Sequence, residues 1–310
     1  MAIRSPEHPA PSHFLLHLSD LHLRGEESPP GIVDGEVGLL RVLAEIEATG
    51  ARPEAIVFSG DLANSGEPEA YARLRSAVEP VAERLGARAI WAMGNHDDRA
   101  NLREHLLGEP RSEEPLNAVH WLGGLRVTVL DTSVPGAHHG EISAEQLKWL
   151  SSVLEVPAPE GTLLVMHHPP VPCIQPLAIL VELRGQAGLA AVVRGSDVRA
   201  ILGGHLHHST SATFAGIPVS VASSTCYTQD LAGPVDPQTG IRGTRGRDAA
   251  QGCTMVHVYR DTVVHSVVPP AGGATVGEEF TPAAVARTLH RHGALPPLDS
   301  PGSVRTRRAG

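Results

Sequence analysis

Short apolar runs and longer amphipathic stretches alternate along the first two thirds of the chain. Residues 14–18, 55–58, 89–93, 127–130, 162–166 and 199–202 are mostly apolar and only four or five residues long, the pattern of buried strands. Between them, apolar positions change to helical spacing. Tyr71, Leu74, Val78, Val81 and Leu85 recur at steps of three and four, so they share one helix face. Pro80, inside that stretch, predicts a kink or a restart. Ser143 followed by Gln146 predicts a capping box opening a helix whose Leu147, Leu150 and Leu154 turn inward. Gly50, Gly86 and Gly108 each follow a helical stretch and predict its end.

From residue 209 the pattern becomes strand-rich, with runs at 212–214, 218–222, 254–259 and 262–267. Residues 232–247 are rich in Gly, Pro and Arg and predict a flexible loop. Past Pro269, residues 282–289 predict one helix, and 296–310, ending in RTRRAG, a disordered tail. The simplest architecture is α/β, with two sheets in one domain over 1–270 and a C-terminal extension over 271–310.

Composition narrows the function. The chain has 310 residues, enough for a sizeable core, with 25 Lys+Arg against 34 Asp+Glu and a net charge of −9. Four Phe, three Trp and three Tyr are outnumbered by 18 His. Nucleic-acid channels want basic grooves and stacking aromatics, so no nucleic-acid partner is expected. The histidine excess points instead to metal or acid–base chemistry. The three cysteines, Cys173, Cys226 and Cys253, form no CxxC pair, which argues against a disulfide framework or a thiolate zinc site and for a reduced, cytoplasmic setting. His17 interrupts the first apolar run, too short for a signal peptide, and no run is long enough to span a membrane. The basic end of the tail reads as solvated, with weak peripheral contact to an envelope as the alternative.

Five polar motifs each follow a strand-like run. They are SDLH (Asp20, His22), SGDLAN (Asp61, Asn64), GNHDD (Asn95, His96, Asp97), HHPP (His167, His168) and GGHLHH (His205, His207). Loops at the carboxyl ends of strands are where α/β folds place their sites. Asp, His and Asn without thiolate suit a pair of ions such as Fe, Mn or Zn. Asp20, His22, Asp61, Asn95, His167, His205 and His207 make seven ligands. One carboxylate must then bridge to hold two ions about 3.5–4 Å apart. Taken singly, each motif reads as a turn or a satisfied core pair; their joint occurrence carries the metal reading. His96 is the candidate acid for a leaving group, since its ordinary pKa lies close to neutrality. Asp97 either holds the His96 ring tautomer or caps a turn. His168 reads as support for the fold, and Cys173 as a small packing residue.

The series D-x-H, GD, GNHD, H, GHxH, from Asp20 to His207, resembles the signature of the metallophosphoesterase (calcineurin-like) family. Longer segments, GDLANSGEPEAY, MGNHDDRAN, VLDTSVPGAHHGEI, HHPPVP, VASSTCYTQDL and TRGRDAAQGC, are similar to class III cyclic-nucleotide phosphodiesterases of mycobacteria. The resemblance implies a four-layer fold of two mixed sheets flanked by helices, and a homodimer. It implies a first metal on Asp20, His22, His207 and the bridging Asp61, and a second on Asp61, Asn95, His167 and His205. The metals implied are Fe(3+) with Mn(2+), or Zn(2+). Asn95, His96, Asn64, His139 and His207 would contact substrate, with His96 catalytic. The related enzymes carry Asp at the Asn64 position, so the amide here puts phosphate or ribose contacts there in doubt.

The expected activity is hydrolysis of 3′,5′-cyclic AMP, and of 2′,3′-cyclic nucleotides, by attack of a metal-bridging hydroxide on phosphorus. The alternatives are a phosphomonoesterase or protein phosphatase of the same kind, or a metal-bound interaction module without activity. A nuclease finds little support in the negative charge.

Overall fold

The computed structural model describes residues 6–25, 33–270, 276–277 and 279–294. In chain order it runs β1 (His13–Leu18), α1 (Gly35–Thr49), β2 (Ala55–Ser59), α2 (Pro68–Leu85), β3 (Arg88–Ala92) and a short α3 (Arg99–Asn101) continued by a π-turn over Leu102–Leu107. Then come β4 (Ala118–Leu122), β5 (Leu125–Val129), α4 (Ala144–Leu154), β6 (Thr162–Val165), a 3₁₀ turn (Pro176–Leu180), α5 (Gln186–Val193) and β7 (Val198–Gly203). The remainder is β8 (Thr210–Phe214), β9 (Ile217–Val221), β10 (Thr228–Gln229), β11 (Gly246–Arg247), β12 (Cys253–Val258), β13 (Val263–Val268) and α6 (Pro282–Arg291).

Two mixed sheets form, in orders β13-β12-β1-β2-β3 and β4-β5-β6-β7-β9-β8. Leu15, Val57, Ile90 and Val256 of the first meet Val127, Val129, Leu163 and Leu202 of the second in one buried layer. On the outer face of the first sheet, Leu39, Leu43 and Ile46 of α1 and Tyr71, Leu74 and Val78 of α2 cover Phe14, Leu16 and Phe58. On the outer face of the second, Leu150 of α4 and Leu189 and Val193 of α5 cover Leu164 and Ile201. The strands are apolar on both faces because both are covered. The result is the expected four-layer sandwich, helix, sheet, sheet, helix.

Local signals held at most ends. Gly50, Gly86 and Gly108 all close helices in the left-handed conformation, and Ser143 and Gln146 form the reciprocal capping box. Leu150 and Leu154 are buried, while Leu147 is only half-buried. Pro80 does not restart the helix: α2 is continuous through it. The proline is exposed, so the carbonyl it leaves unbonded faces water. Strand β4 left little signal because it is an edge whose Val119 and Trp121 face solvent. The expected loose loop at 232–247 is tied down at its base. There β10 pairs with β11, and Arg245 and Arg247 clamp Asp230 at 2.6 and 2.8 Å. Helix α6 forms where expected; the predicted tail lies outside the described residues. No described helix is long and apolar enough to cross a membrane.

Strands β1, β2 and β3 are parallel to one another, as are β5, β6 and β7. Their carboxyl ends lead into the segments that carry Asp20, Asp61, Asn95, His138, His167 and His205. Sheet topology alone therefore gathers the polar motifs at one end of the sandwich.

Candidate metal centre and active site

The gathering is tight. One ligand-type atom from each of Asp20, His22, Asp61 and His207, all buried, lies within 4.8 Å of the others. The Nε2 atoms of His22 and His207 stand 3.0 Å apart, Asp61 Oδ2 is 3.6 Å from His22, and Asp20 Oδ1 is 3.4 Å from His207. Beside them, Asp61 Oδ2 is 3.3 Å from His167 Nε2. Asp61 is thus the carboxylate common to both sides.

Backbone geometry holds these groups. Asp20, His22, Asp61, His205 and His207 all have positive φ, from 48° to 71°. Each costs about 1–3 kcal/mol for a side-chain-bearing residue, and such strain gathers at functional sites. The turns interlock: Leu21 and His22 donate to the Asp61 carbonyl at 2.9 and 3.0 Å, and the His205 N–H donates to the Asp20 carboxylate at 3.0 Å. Gly94 approaches so closely that a Cβ there would collide with the Asp61 carboxylate.

The hydrogen bonds select which ring nitrogens face inward. His167 donates from Nδ1 to the Ser59 carbonyl at 2.8 Å, leaving Nε2 buried without a hydrogen-bond partner. His207 donates from Nδ1 to the Tyr227 carbonyl at 2.9 Å, leaving its Nε2 lone pair toward His22. His205 donates from Nε2 to the Val181 carbonyl at 2.9 Å, leaving Nδ1 as its free lone pair. Asn95 spends its amide nitrogen on His138 Nδ1 at 3.1 Å, and its buried Oδ1 has no partner. Burial alone would raise the Asp61 carboxyl, but the charge of His167, whose own value Asp61 raises to about 9, outweighs it and holds it well below the usual range. Burial pushes His22 well below the ordinary imidazole value and His205 down to about 3, which keeps both rings neutral.

These features test the fit of a metal pair. Imidazole nitrogens brought 3.0 Å apart, a buried amide oxygen without a donor and a shared carboxylate are groups that cations would satisfy. His168 also lies within reach of His167 and His205, but its ring is spent: Nε2 donates to the His138 carbonyl at 3.1 Å, and Nδ1 meets the Thr132 hydroxyl at 2.8 Å. It supports the fold, as its sequence context suggested.

Three expected contacts sit differently. Asp97 does not orient His96; its carboxylate accepts from the N–H groups of Leu62, Ala63 and Gly94 and from the Tyr71 hydroxyl, at 2.8–3.1 Å. It is the turn-capping carboxylate of the two readings, and burial beside Asp61 pushes it up to about 6. His96 instead donates from Nδ1 to the Asn64 carbonyl at 2.8 Å. The Asn64 side chain turns to Arg24 and Ser65, so its backbone rather than its amide serves the site. His139 is engaged by Glu141 and Arg184, each at 3.0 Å. Its neighbour His138 is the one at the site, against Asn95 and with its ring 5.5 Å from His96. The doubled histidine at 138–139 was the signal for it. Tyr227, whose ring lies 4.4 Å from that of His207, left no signal beyond an aromatic after Cys226.

The chain belongs to the calcineurin-like phosphoesterase family, which matches residues 15–209. It is 59% identical over 94% of its length to a probable cyclic nucleotide phosphodiesterase of Rhodococcus erythropolis, covering 95% of that protein. It is 56% identical, again over 94%, to the cAMP/cGMP dual specificity phosphodiesterase of Mycobacterium tuberculosis, covering 90% of it. Among solved structures, a dimetal phosphatase from Danio rerio shares the fold, with a TM-score of 0.60 at 16% identity over 84% of this chain and 97% of that one.

Proposed function

We propose that this chain is a two-metal phosphodiesterase that hydrolyses cyclic nucleotides, 3′,5′-cyclic AMP foremost and 2′,3′-cyclic nucleotides besides. The observation that carries the reading is Asp61, a buried carboxylate placed between His22 and His167, with the Nε2 atoms of His22 and His207 facing each other on one side and the unpartnered Nε2 of His167 on the other. The named activities of relatives more than half identical support the substrate class.

In this reading Asp20, His22, His207 and Asp61 hold one ion, and Asp61, Asn95, His167 and His205 the other. When bound, the pair supplies Lewis acidity toward an anionic phosphate and a water acidic enough to deprotonate near neutral pH. Fe(3+) with Mn(2+), or Zn(2+), fits the donor set. The protein does the rest. His96, fixed through Nδ1 to the Asn64 carbonyl, turns Nε2 to the site, and its protonated ring passes a proton to the departing ribose oxygen. His138 and Asn95 together line the phosphate side. Residues 1–270 form the catalytic unit in this proposal, supported by β12 and β13 completing the first sheet at Val268. Residues 271–310 are an extension.

A cytoplasmic homodimer is the proposed assembly. The three cysteines, all free, support the reduced compartment, and sedimentation tests the dimer. For the activity, the purified protein with Mn(2+) is assayed on 3′,5′-cyclic AMP, 2′,3′-cyclic AMP, a phosphomonoester and single-stranded DNA, with metal content measured in parallel. Turnover of the cyclic substrates with two bound ions is expected. Turnover of the monoester alone would overturn the reading.

A further inference from the structure

Just past the HHPP motif, residues 172–181 form a strap over the side of the site. Ile174, Leu177, Ile179 and Leu180 are each 60–69% exposed there, four large apolar side chains within seven residues. The 3₁₀ turn Pro176–Leu180 buries none of its residues. Surface apolar residues scattered singly need no explanation, but a cluster does.

The strap is joined to the site. The Val181 carbonyl at its end accepts from His205 Nε2 at 2.9 Å. Between strap and His205 lie two adjoining hollows of about 300 and 230 Å³. Cys173, Gln175, Ala178, His205 and Leu206 line both. The His205 ring is thus a wall shared by the metal-ligand cluster and the hollow.

Most of its polar walls are already committed; the buried Oε1 of Gln229, in the wall of the smaller hollow, has no partner. Gln175 is buried, accepting from the Thr244 hydroxyl at 3.1 Å and donating to the Asp230 carbonyl at 3.5 Å. Cys173 Sγ lies 3.8 Å from His208 Nε2, and Glu182 stands exposed at the rim. The surface facing the smaller hollow is mainly apolar, suited to the flat face of an aromatic heterocycle.

We infer that the hollow between the 172–181 strap and His205 seats the base of the nucleotide, holding it chiefly by its faces. The inference rests on the phosphodiesterase reading above.

Ala178→Trp fills the hollow from an exposed turn, and Leu177→Glu places a charge on its wall without touching the core. Wild type and both variants are compared on 3′,5′-cyclic AMP, 3′,5′-cyclic GMP and the base-free methyl riboside 3′,5′-cyclic phosphate. Metal content, melting and oligomeric state are measured alongside. KM for both nucleotides should rise about tenfold or more in the variants, with kcat little changed, while the base-free substrate is unaffected. Nucleotide turnover with unchanged KM in both variants overturns the inference and leaves the phosphodiesterase reading standing. A shift in oligomeric state also overturns it, assigning the apolar strap to a second copy of the chain. No turnover of any of the three by wild type sinks the phosphodiesterase reading and the inference with it.

Discussion

His96 turns its Nδ1 toward the backbone carbonyl of Asn64, 2.8 Å away. A carbonyl only accepts, so Nδ1 carries the hydrogen and the tautomer is fixed without any carboxylate partner. The ring stands edge-on to His22, with centroids 4.8 Å apart, so Nε2 is the nitrogen left for chemistry. His96→Ala removes the proton donor and none of the seven proposed ligands. Steady-state kinetics should show kcat falling about 10²–10⁴-fold. Elemental analysis should still find two ions per chain; an empty site in this variant would sink the assigned role.

Asp61 carries a different burden. It lies 3.6 Å from His22 and 3.3 Å from His167, and its Oδ1 accepts the His96 N–H at 3.0 Å. Asp61→Ala takes one ligand from each proposed ion and a hydrogen-bond acceptor from the GNHD turn. Titration calorimetry with Mn(2+) should show binding of both ions weakened at least tenfold, by analogy with the loss of supporting contacts around metal sites. Two ions retained at wild-type affinity would refute the bridging placement.

Asp97 should behave as a structural residue. Three backbone N–H groups and the Tyr71 hydroxyl end on its carboxylate, and the Asp98 N–H donates to that hydroxyl at 2.9 Å. Asp97→Ala orphans the four donors at once. Unsatisfied buried groups cost about 1–3 kcal/mol each, and partial relaxation leaves about 3 kcal/mol in all. Denaturant unfolding should show that loss, with Tyr71→Phe near 1 kcal/mol. A variant with wild-type stability and a changed pH–rate profile would restore the role of ring orienter.

The chemistry of the site was legible because each motif is local. A strand, a tight turn and two or three polar residues fall within ten positions, as in LHLSDLH, which ends on His22. The sandwich was legible for the same reason, since strands covered on both faces are apolar throughout. What stayed hidden depends on partners far along the chain. Three of the four donors to Asp97 lie more than 25 residues back, at Leu62, Ala63 and Tyr71, and no spacing announces them. Which of His138 and His139 turns inward depends on where Glu141 and Arg184 pull the second one. The helix continues past Pro80 because that residue sits on the side facing water, which a propensity argument omits. The grip on residues 232–247 comes from Asp230, just before the stretch whose composition suggested freedom.

The same long-range logic yields a pH prediction away from the site. His13, buried at the start of β1, donates from Nδ1 to Glu54 and from Nε2 to Glu160, each at 3.0 Å. Glu54 precedes β2 in the first sheet, and Glu160 precedes β6 in the second, so one imidazolium ties both layers. Burial works against the charged ring, but the two carboxylates together outweigh it and raise its pKa above the ordinary value. A group raised on folding holds its proton more tightly in the native state. Its contribution is therefore full below the unfolded pKa of about 6.5 and fades as pH climbs through the higher folded value. Both carboxylates are about a third exposed, so solvent screening limits the effect to about 1 kcal/mol. His13→Gln keeps a polar side chain and removes the titration. Urea unfolding of both proteins at pH 5.5, 7 and 9 isolates this one group in the difference between them. Wild type should exceed the variant most at pH 5.5 and least at pH 9. A difference that is constant across the series, or grows with pH, would show that His13 is neutral in the native sandwich.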